Sequence, residues 1–397
     1  MSNKHNSLTE LFTAIANAIR SKTGATDPIV ADDFPIAIEA IESSGSDGSD
    51  LLNSLIDRSI TEASSDVEYI GDYSFHNCTA LATANFPLAT YMGPNAFSDC
   101  TALTTANVPF ATRVSNYAFY NCSALVEANI PIATDIGDYA FNGCKKLVTA
   151  NFPNITNVAQ YGFYRCSNIT SVDFPLVKSI GDYSFAECNN LLTANLPCLT
   201  NLGLRAFENC SKLETINAPE VTSISDRAFR VCRKLATCNF PLATSLGTYA
   251  FAYAPIAIAD FPLVTKIGNS AFFYCENLAT INFPLATEIL QAGFQNCIKL
   301  ITADFPLVTT IYSAAFYNCF ALNALILRSE TLCTLKNSGA FNSTPINDGI
   351  GYIYVPRSLV DSYKSATNWS TYAAQFRALE DYTVDGTITG EFDTTKI

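Results

Sequence analysis

The sequence is poor in charge and in histidine, and it contains no long apolar run. Charged residues make up 15% of its 397 positions, and only His5 and His76 are histidines. The usual ligand spacing of a zinc site is missing, because there is no Cys-x-x-Cys pair. No run of 18 apolar residues exists, so we expect no membrane insertion.

Basic residues are scarce as well. The chain has 23 Lys and Arg against 36 Asp and Glu, a formal charge of −13. Nucleic-acid binding needs clustered Lys and Arg to neutralise phosphates, so we expect no nucleic-acid partner. Apolar residues, in contrast, make up 49% of the chain, which predicts a large core.

The scarcity of histidine also disfavours catalysis. His5 lies in an N-terminal tail and His76 in a single loop, so no Ser-His or Cys-His arrangement with an orienting carboxylate is predicted. Carboxylates occur singly on loops. Only a pair of carboxylates brought together by the fold, as in a glycosidase, is left open. We therefore expect no enzyme, with no catalytic residue, no metal site and no cofactor.

An internal repeat of 22 residues dominates the chain. A phenylalanine recurs at this interval and a proline recurs in step with it. One interval of 21 residues interrupts both series in AYAPIAIADFP, where Ala254 stands in place of the usual cysteine, and we expect a local pinch there. The repeated phenylalanines are Phe75, Phe97, Phe119, Phe141, Phe163, Phe185, Phe207, Phe229, Phe251, Phe272, Phe294 and Phe316.

Alternation within each repeat predicts a strand. Leu81, Ala84 and Phe86 fall on one side, whereas Thr83 and Asn85 fall on the other. The repeat is too short for a full helix, so the pattern predicts a mainly β solenoid of parallel coils, right-handed by the crossover preference. A set of glycines is predicted to lie in turns that need a positive φ: Gly71, Gly137, Gly181, Gly203, Gly247 and Gly268.

These residues carry a family resemblance. The combination I-G-D-Y-[AS]-F-x-x-C-x-x-L, at Ile136–Leu147 and Ile180–Leu191, with Phe-Pro at the strand end, resembles the BspA-like leucine-rich repeats of bacterial and protist surface proteins. The similarity spans about residues 67 to 327. It implies a leucine-rich-repeat solenoid without a full helix per repeat, and a role in adhesion or recognition.

The repeats define the domain organisation. We assign residues 51–327 to the solenoid and residues 328–380 to an α/β C-terminal cap, which a solenoid needs to cover its last apolar coil. Within the cap, Ser358–Lys364 and Trp369–Leu379 are predicted helices. Residues 381–397 form a polar tail.

The first 42 residues follow a different pattern. LTELFTAIANAIRSK has the apolar spacing of an amphipathic helix, DDFPIAIEAI predicts a second short helix, and residues 43–50 form a flexible linker. AIANAIRSKTG and DFPIAI resemble a short N-terminal module of structural proteins in phages and prophages of gut Firmicutes, which implies attachment or oligomerisation through residues 1–42. The candidate anchor residues are Leu11, Phe12, Ile15, Ile19, Phe34 and Ile38.

The chain also lacks the pattern of a secretory signal. Glu10 precedes the apolar positions of the N-terminal segment, Asn17 interrupts them, and no small-residue cleavage site follows. We therefore expect a protein made in a cytoplasm, which lysis or another route must release if it acts outside the cell.

Most of the fourteen cysteines form one column, three residues after the repeated phenylalanine. A small apolar residue packed against its copies explains such a column without chemistry. Coils about 4.8 Å apart bring the residues within disulfide distance, yet in-register side chains rarely reach the disulfide torsion. We expect free buried thiols, with scattered disulfides as the open alternative. The column is Cys78, Cys100, Cys122, Cys144, Cys166, Cys188, Cys210, Cys232, Cys275, Cys297 and Cys319.

Two surfaces are candidates for ligand binding. The outward strand face offers hydroxyls and amides to a protein or glycan, although strand propensity and bonds between stacked Asn are the favoured explanation of these residues. Its residues are Thr83, Asn85, Thr105, Asn107, Thr149, Asn151, Thr193, Asn195, Thr215 and Asn217. An aromatic ridge suits sugar stacking or a protein partner, or else covers a coil edge with half-buried rings. Its residues are Tyr117, Tyr120, Tyr139, Tyr161, Tyr164 and Tyr183.

The resulting hypothesis is a non-enzymatic phage or prophage virion protein, associated with a tail or fibre. It would be made in the host cytoplasm, bind other virion proteins through residues 1–42, be released by lysis, and recognise a host surface protein or glycan through the solenoid. Self-association is left open. The alternatives are a bacterial surface or secreted leucine-rich-repeat adhesin, and a structural spacer or decoration protein without a ligand.

Overall fold

The computed structural model describes residues 58–384 and 387–388. The N-terminal module, the linker and all six candidate anchor residues therefore lie outside the described part of the chain. The chain divides into two compact units, Met1–Leu191 and Leu192–Ile397.

Each coil of the first unit contains a strand of two or three residues and, after a turn, a second strand of two residues. Strands of the same kind pair in parallel and in register from coil to coil, as Thr83 pairs with Thr105 and Val114 with Ile136. The strands are β1 Glu62–Ser64, β2 Tyr69–Ile70, β3 Thr83–Asn85, β4 Tyr91–Met92, β5 Thr105–Asn107, β6 Arg113–Val114, β7 Glu127–Asn129, β8 Asp135–Ile136, β9 Thr149–Ala150, β10 Asn157–Val158, β11 Ser171–Asp173 and β12 Ser179–Ile180.

The second unit continues this design up to the C-terminal region. Its strands are β13 Thr193–Asn195, β14 Asn201–Leu202, β15 Thr215–Asn217, β16 Ser223–Ile224, β17 Ser245–Leu246, β18 Ile258–Asp260, β19 Lys266–Ile267, β20 Thr280–Asn282, β21 Glu288–Ile289, β22 Thr302–Phe305, β23 Thr310–Ile311, β24 Ala324–Leu327, β25 Thr334–Leu335, β26 Tyr352–Val355, β27 Phe376–Ala378, β28 Thr383–Val384 and β29 Thr387–Ile388. Parallel pairing joins β19, β21, β23 and β25, and likewise β22, β24, β26 and β27. Only β28 and β29 pair antiparallel in the described residues.

The parallel ladder has a break in the second unit. Residues 235–240, all described, form no strand, and β15 and β18 consequently belong to different sheets. This break adjoins the 21-residue interval at which we expected a pinch.

The core consists of stacked columns of identical residues. Leu81, Ala84 and Phe86 are buried, as the alternation predicts. The phenylalanine rings stack nearly parallel, with centroids 5.2 Å apart for Phe75 and Phe97 in the first unit. Burial of such large apolar side chains in every coil supplies the main stabilisation of the fold. The mainly β, parallel repeat solenoid is therefore confirmed, whereas its handedness stays a prediction.

The glycine prediction was wrong in its physical reason. Among the described residues only Gly143 and Gly349 are glycines with a positive φ. Gly181 instead lies where a Cβ atom would come within 2.7 Å of the backbone nitrogen of Gln160, one coil earlier. Glycine is needed there for the close approach of two backbones, and not for conformational freedom.

Left-handed backbone occurs instead at tyrosines of the ridge. Tyr117 has a φ of 57°, and Tyr139 has a φ of 55°. A left-handed conformation costs a residue with a side chain about 1–2 kcal/mol. The backbone nitrogen of Tyr139 donates a hydrogen bond of 3.0 Å to the carbonyl oxygen of Gln160 in the next coil, which helps to offset this cost.

The C-terminal region contains the helical structure. The first predicted helix is present as a 3-10 turn, Arg357–Leu359, followed by the α-helix α1, Val360–Ser365. The second prediction was partly wrong, because Trp369–Gln375 is a 3-10 helix and β27 follows it. Phe376 begins that strand because its ring packs on Tyr363 while its backbone pairs with β26. Two further 3-10 helices are Ser338–Phe341 and Leu379–Asp381.

This region covers the end of the phenylalanine column. Trp369 and Tyr372 are buried against the ring of Phe341, with centroid distances of 5.9 and 5.5 Å. The indole nitrogen of Trp369 donates a hydrogen bond of 2.7 Å to the carbonyl oxygen of Cys333. The last coil is thus covered by aromatic rings whose polar atoms have partners.

Candidate ligand-binding surfaces

The outward strand face of the first unit contains a ladder of amides. Asn107 Nδ2 donates a hydrogen bond of 2.7 Å to Asn85 Oδ1, and Asn129 Nδ2 donates one of 2.6 Å to Asn107 Oδ1. We call Asn85, Asn107 and Asn129 the amide ladder. Its geometry matches the structural alternative, in which the stacked amides satisfy one another. Each amide still has a second N–H and a second oxygen lone pair for a ligand.

The predicted face continues separately in the second unit. Asn217 Nδ2 donates a hydrogen bond of 2.8 Å to Asn195 Oδ1, and Asp260 accepts one of 2.7 Å from Asn282. The remaining threonines and asparagines of the predicted face are exposed in both units, except for Thr83, which is half-buried: Thr105, Thr149, Asn151, Thr193 and Thr215. Ligand binding by this face stays a prediction.

The ridge tyrosines of the first unit form a continuous stack. The rings of Tyr117, Tyr139, Tyr161 and Tyr183 follow one another at centroid distances of 4.8, 4.6 and 4.7 Å, nearly parallel. All four are half-buried. Because each inner ring is covered on both faces by its neighbours, the stack offers ring edges and hydroxyls to a ligand, and no free ring face between coils.

Tyr120 and Tyr164 flank this stack. Tyr120 lies beside Tyr117, with a centroid distance of 5.6 Å. Tyr164 Oη and Arg165 Nε donate hydrogen bonds of 2.9 and 2.8 Å to the carboxylate of Glu187. Burial alone would raise the pKa of Glu187, but these hydrogen bonds outweigh burial and lower the pKa. The ionised carboxylate therefore fixes the position of the Tyr164 ring.

Sequence reasoning missed a third surface, a row of exposed apolar side chains. The residue directly after the repeated proline is apolar in most coils and 38–51% exposed. We call this set the apolar row: Leu88, Phe110, Ile132 and Leu176 in the first unit, and Leu242, Leu263, Leu285 and Leu307 in the second. The signal was available, because Pro follows each strand and cannot donate to the ladder, so the next residue is expected on a turn outside the core.

The cysteine column is buried, and its thiols form no disulfide bonds. All fourteen cysteines are free. Within the column, thiols donate to the carbonyl oxygen of a phenylalanine in the preceding coil, as Cys144 Sγ does to Phe119 O at 3.1 Å and Cys166 Sγ to Phe141 O at 3.1 Å. Burial raises the pKa of these thiols well above the ordinary value, as for Cys122 and Cys166. No group of three His, Cys, Asp or Glu within the described residues could hold a metal ion.

Coil stacking does bring one histidine to a serine. His76 Nδ1 lies 2.5 Å from Ser98 Oγ, one coil further on. The register of the 22-residue repeat could have predicted this pair. Ser98 is 1% exposed, so its hydroxyl is out of reach of a substrate. Burial, followed by the charge of Arg58, lowers the pKa of His76, which favours a neutral ring that bonds the serine.

The repeats and their geometry define the family. The chain belongs to the BspA type leucine rich repeat region family, whose model matches residues 53–159, 112–236 and 244–360 in six copies. A search of curated proteins found no significant match.

Comparison with solved structures found leucine-rich repeat proteins, of which the one from Bacteroides ovatus reaches a TM-score of 0.50. A leucine-rich repeat protein from Bacteroides ovatus is 22% identical, with a TM-score of 0.50 over 75% of this chain and 87% of that chain. A leucine rich cell surface protein from Faecalibacterium prausnitzii is 20% identical, with a TM-score of 0.39 over 79% and 91% of the two chains. A leucine-rich repeat protein from Eubacterium ventriosum is 20% identical, with a TM-score of 0.40 over 72% and 84%.

Family membership agrees with the BspA-like resemblance, whereas the comparisons do not bear out the phage-type N-terminal module or a virion role. Within the described ranges, no helix has the length and apolar character needed to cross a membrane.

Proposed function

We propose that this protein is a bacterial surface or secreted leucine-rich-repeat protein that binds a protein on another cell. The ligand would lie on the surface formed in the first unit by the amide ladder and by Leu88, Phe110 and Ile132. This proposal takes up the adhesin alternative in place of the virion hypothesis. Membership in the BspA-type family supports it, because such repeats typically form a non-enzymatic binding scaffold.

The observation that carries the proposal is the position of the apolar row beside the amide ladder. The strand ends with Asn85 and the row begins at Leu88, three residues later, and the register repeats this arrangement in the next two coils. Other apolar columns of the coil, such as those of Leu81 and Ala89, are fully buried. The exposed part of the apolar row, in contrast, lies outside the core.

A protein partner fits this surface better than a sugar. Interface cores are apolar and poor in charge, with hydrogen-bonding groups around them. Phe110 is 51% exposed, and such aromatic side chains serve as anchors in protein interfaces. The amide ladder adds donors and acceptors at a fixed spacing beside it.

The test compares two matched triple variants of the full chain. Burying three half-exposed apolar side chains is worth about 1 kcal/mol each, so Leu88→Ser/Phe110→Ser/Ile132→Ser is expected to weaken saturable binding to intact intestinal and gut bacterial cells at least about tenfold. The control, Leu263→Ser/Leu285→Ser/Leu307→Ser, removes similar side chains in the second unit and is expected to bind normally. Protease treatment of the target cells is expected to abolish binding.

Two outcomes would contradict the proposal. Absence of saturable binding to every cell type in a broad panel would remove recognition itself. Equal losses in the two variants would show that the apolar row of the first unit is not the binding surface.

A further inference from the structure

A basic segment lies in the second unit of this acidic chain. Residues 205–234 contain six Lys or Arg and four Asp or Glu, a net charge of +2, whereas the whole chain has −13. At the ridge position, arginines replace tyrosines in two successive coils, Arg205 and Arg227, before Tyr249 follows. This is the region next to the 21-residue interval.

Three of these arginines lie against tyrosine rings. The guanidinium carbon of Arg227 lies 5.7 Å from the ring centroid of Tyr249. Arg230 and Arg233 both lie 5.9 Å from the ring centroid of Tyr253. Two guanidinium groups thus converge on one ring.

Aromatic contacts join the two tyrosines into one cluster. The ring of Phe273 meets Tyr249 and Tyr253 edge to face, with centroid distances of 6.0 and 5.6 Å. Tyr274, which is exposed, stacks on Tyr253 at 5.3 Å. We call Arg227, Arg230, Arg233, Tyr249, Tyr253 and Tyr274 the arginine-tyrosine patch.

The charge of this patch is only partly neutralised. Glu208 Oε1 accepts a hydrogen bond of 2.8 Å from Arg230, and Arg205 lies 3.6 Å from the same carboxylate. Among the described residues, no carboxylate lies within 4.0 Å of the guanidinium nitrogens of Arg227 or Arg233. Glu208 thus holds Arg230 in place, whereas Arg227 and Arg233 retain unpaired charge.

A shallow open hollow begins beside these residues. Its lining includes Leu204, Ser225 and Asp226, which precede Arg205 and Arg227 in the chain. Ser223 and Ser245 also line it, with their hydroxyl oxygens 2.8 Å apart. The surface therefore combines cationic groups, aromatic rings and hydroxyls within neighbouring coils, together with the carboxylate of Asp226, which accepts a hydrogen bond of 2.6 Å from the backbone nitrogen of Thr248.

We propose that the arginine-tyrosine patch binds an anionic glycan, one that bears carboxylate or phosphate groups. Guanidinium groups bind both anions in a bidentate manner. Tyrosine rings and serine hydroxyls suit the apolar faces and hydroxyls of sugar rings. This site consists of other residues than the amide ladder and the apolar row, and it does not depend on the function proposed for them. A nucleic acid fits less well, because the patch is short and the rest of the chain is acidic.

The experiment measures binding of the full chain to four immobilised polymers: polygalacturonate, phosphorylated dextran, neutral dextran and single-stranded DNA. Binding to one or both anionic glycans is expected. The affinity is expected to fall as NaCl rises from about 50 to about 300 mM, because salt screens the charges. The double variant Arg227→Gln/Arg233→Gln is expected to bind about tenfold more weakly or worse. The control Arg113→Gln/Lys146→Gln loses the same charge from exposed positions of the first unit and is expected to bind normally.

A third variant separates charge from geometry. Arg227→Lys/Arg233→Lys keeps the charge but loses the planar fork, so an intermediate affinity is expected. The proposal is overturned if neither anionic glycan binds, if neutral dextran or DNA binds as tightly as the anionic glycans, or if both glutamine variants lose affinity equally. The two anionic polymers distinguish a uronate ligand from a phosphate ligand.

Discussion

Raising the pH above 9 is expected to unfold the first unit through its cysteine column. Burial raises the pKa of the column thiols above the ordinary value of 9.0, to about 11 for Cys78 and further for the thiols inside the column. The folded state therefore keeps its protons at a pH at which unfolded thiols lose theirs. Stability is fully present below pH 9 and falls as the pH rises through the interval up to the folded pKa values.

The magnitude follows from the number of thiols. Ionisation of one unfolded thiol at pH 10 lowers the free energy of unfolding by about 1.4 kcal/mol. Six thiols with raised pKa values lie in the first unit, so the loss amounts to about 8 kcal/mol, within the 5–15 kcal/mol that holds a typical domain together. These are Cys78, Cys100, Cys122, Cys144, Cys166 and Cys188.

A double variant makes this dependence of stability on pH measurable. Cys144→Ala/Cys166→Ala removes two ionisable groups and imitates Ala254, which occupies the column position in the 21-residue interval. At pH 7 the variant is expected to be less stable by about 2–4 kcal/mol, because it loses two S–H donors and two sulfur volumes. At pH 10 it regains about 2.8 kcal/mol, so the difference from the parent protein shrinks towards zero.

Urea unfolding followed by circular dichroism at pH 7, 9 and 10, with reductant present, measures this difference. A gap between the two proteins that stays constant from pH 7 to pH 10 would refute the reasoning. It would mean that the column thiols ionise without unfolding, and thus that burial does not hold them neutral.

Three further predictions concern single positions. At pH 8, a thiol reagent is expected to label the exposed Cys198 rapidly and the buried column cysteines only after unfolding, as counted by mass spectrometry. Asn107→Ala breaks two amide hydrogen bonds and is expected to cost about 1–2 kcal/mol in urea unfolding, whereas Asn151→Ala, at an exposed position with no such bond in the described residues, is expected to cost less. Gly181→Ala places a Cβ 2.7 Å from a backbone atom, so it is expected to lower the free energy of unfolding by more than about 2 kcal/mol. For Gly143→Ala the nearest atom is 3.4 Å away, and the expected loss is about 1 kcal/mol. Thermal unfolding compares the two variants.

The fold could be predicted from the sequence because the same physical constraint repeats in every coil. In the segment NFPLAT at Asn85–Thr90, the alternation assigns Phe86 to the core and Asn85 to the outside, and both assignments are confirmed. Thr90 has a role that alternation cannot show: its hydroxyl donates a hydrogen bond of 3.2 Å to the carbonyl oxygen of Glu68 in the preceding coil. Contacts of this kind depend on the register between coils.

Backbone conformation was harder to predict. The sequence suggested that glycine marks the left-handed positions, yet Tyr139 and Arg227 adopt them, because hydrogen bonds between coils outweigh the local preference. Gly181 instead lies where two backbones approach closely, and this approach arises only when the coils stack.

The candidate surfaces also differ in how far the sequence predicts them. The amide ladder follows from period and alternation alone. The arginine-tyrosine patch does not, because Arg233 and Tyr253 are twenty residues apart and meet only through the geometry beside the short interval. Leu88 was visible in the sequence, but its exposure depends on how the chain turns after Pro87.

The direction of the polar contacts between coils has an evolutionary consequence. The side chains of Asn107, Cys144 and Thr90 donate towards the preceding coil. The backbone nitrogen of Tyr139 donates towards the next coil, and in both directions the same positions serve as donor and acceptor from coil to coil. Insertion or deletion of one complete coil therefore leaves no donor of this kind without an acceptor. A change of 22 residues therefore preserves every contact of this kind, whereas the 21-residue interval at Ala254 lies close to the stretch in which the parallel ladder is broken.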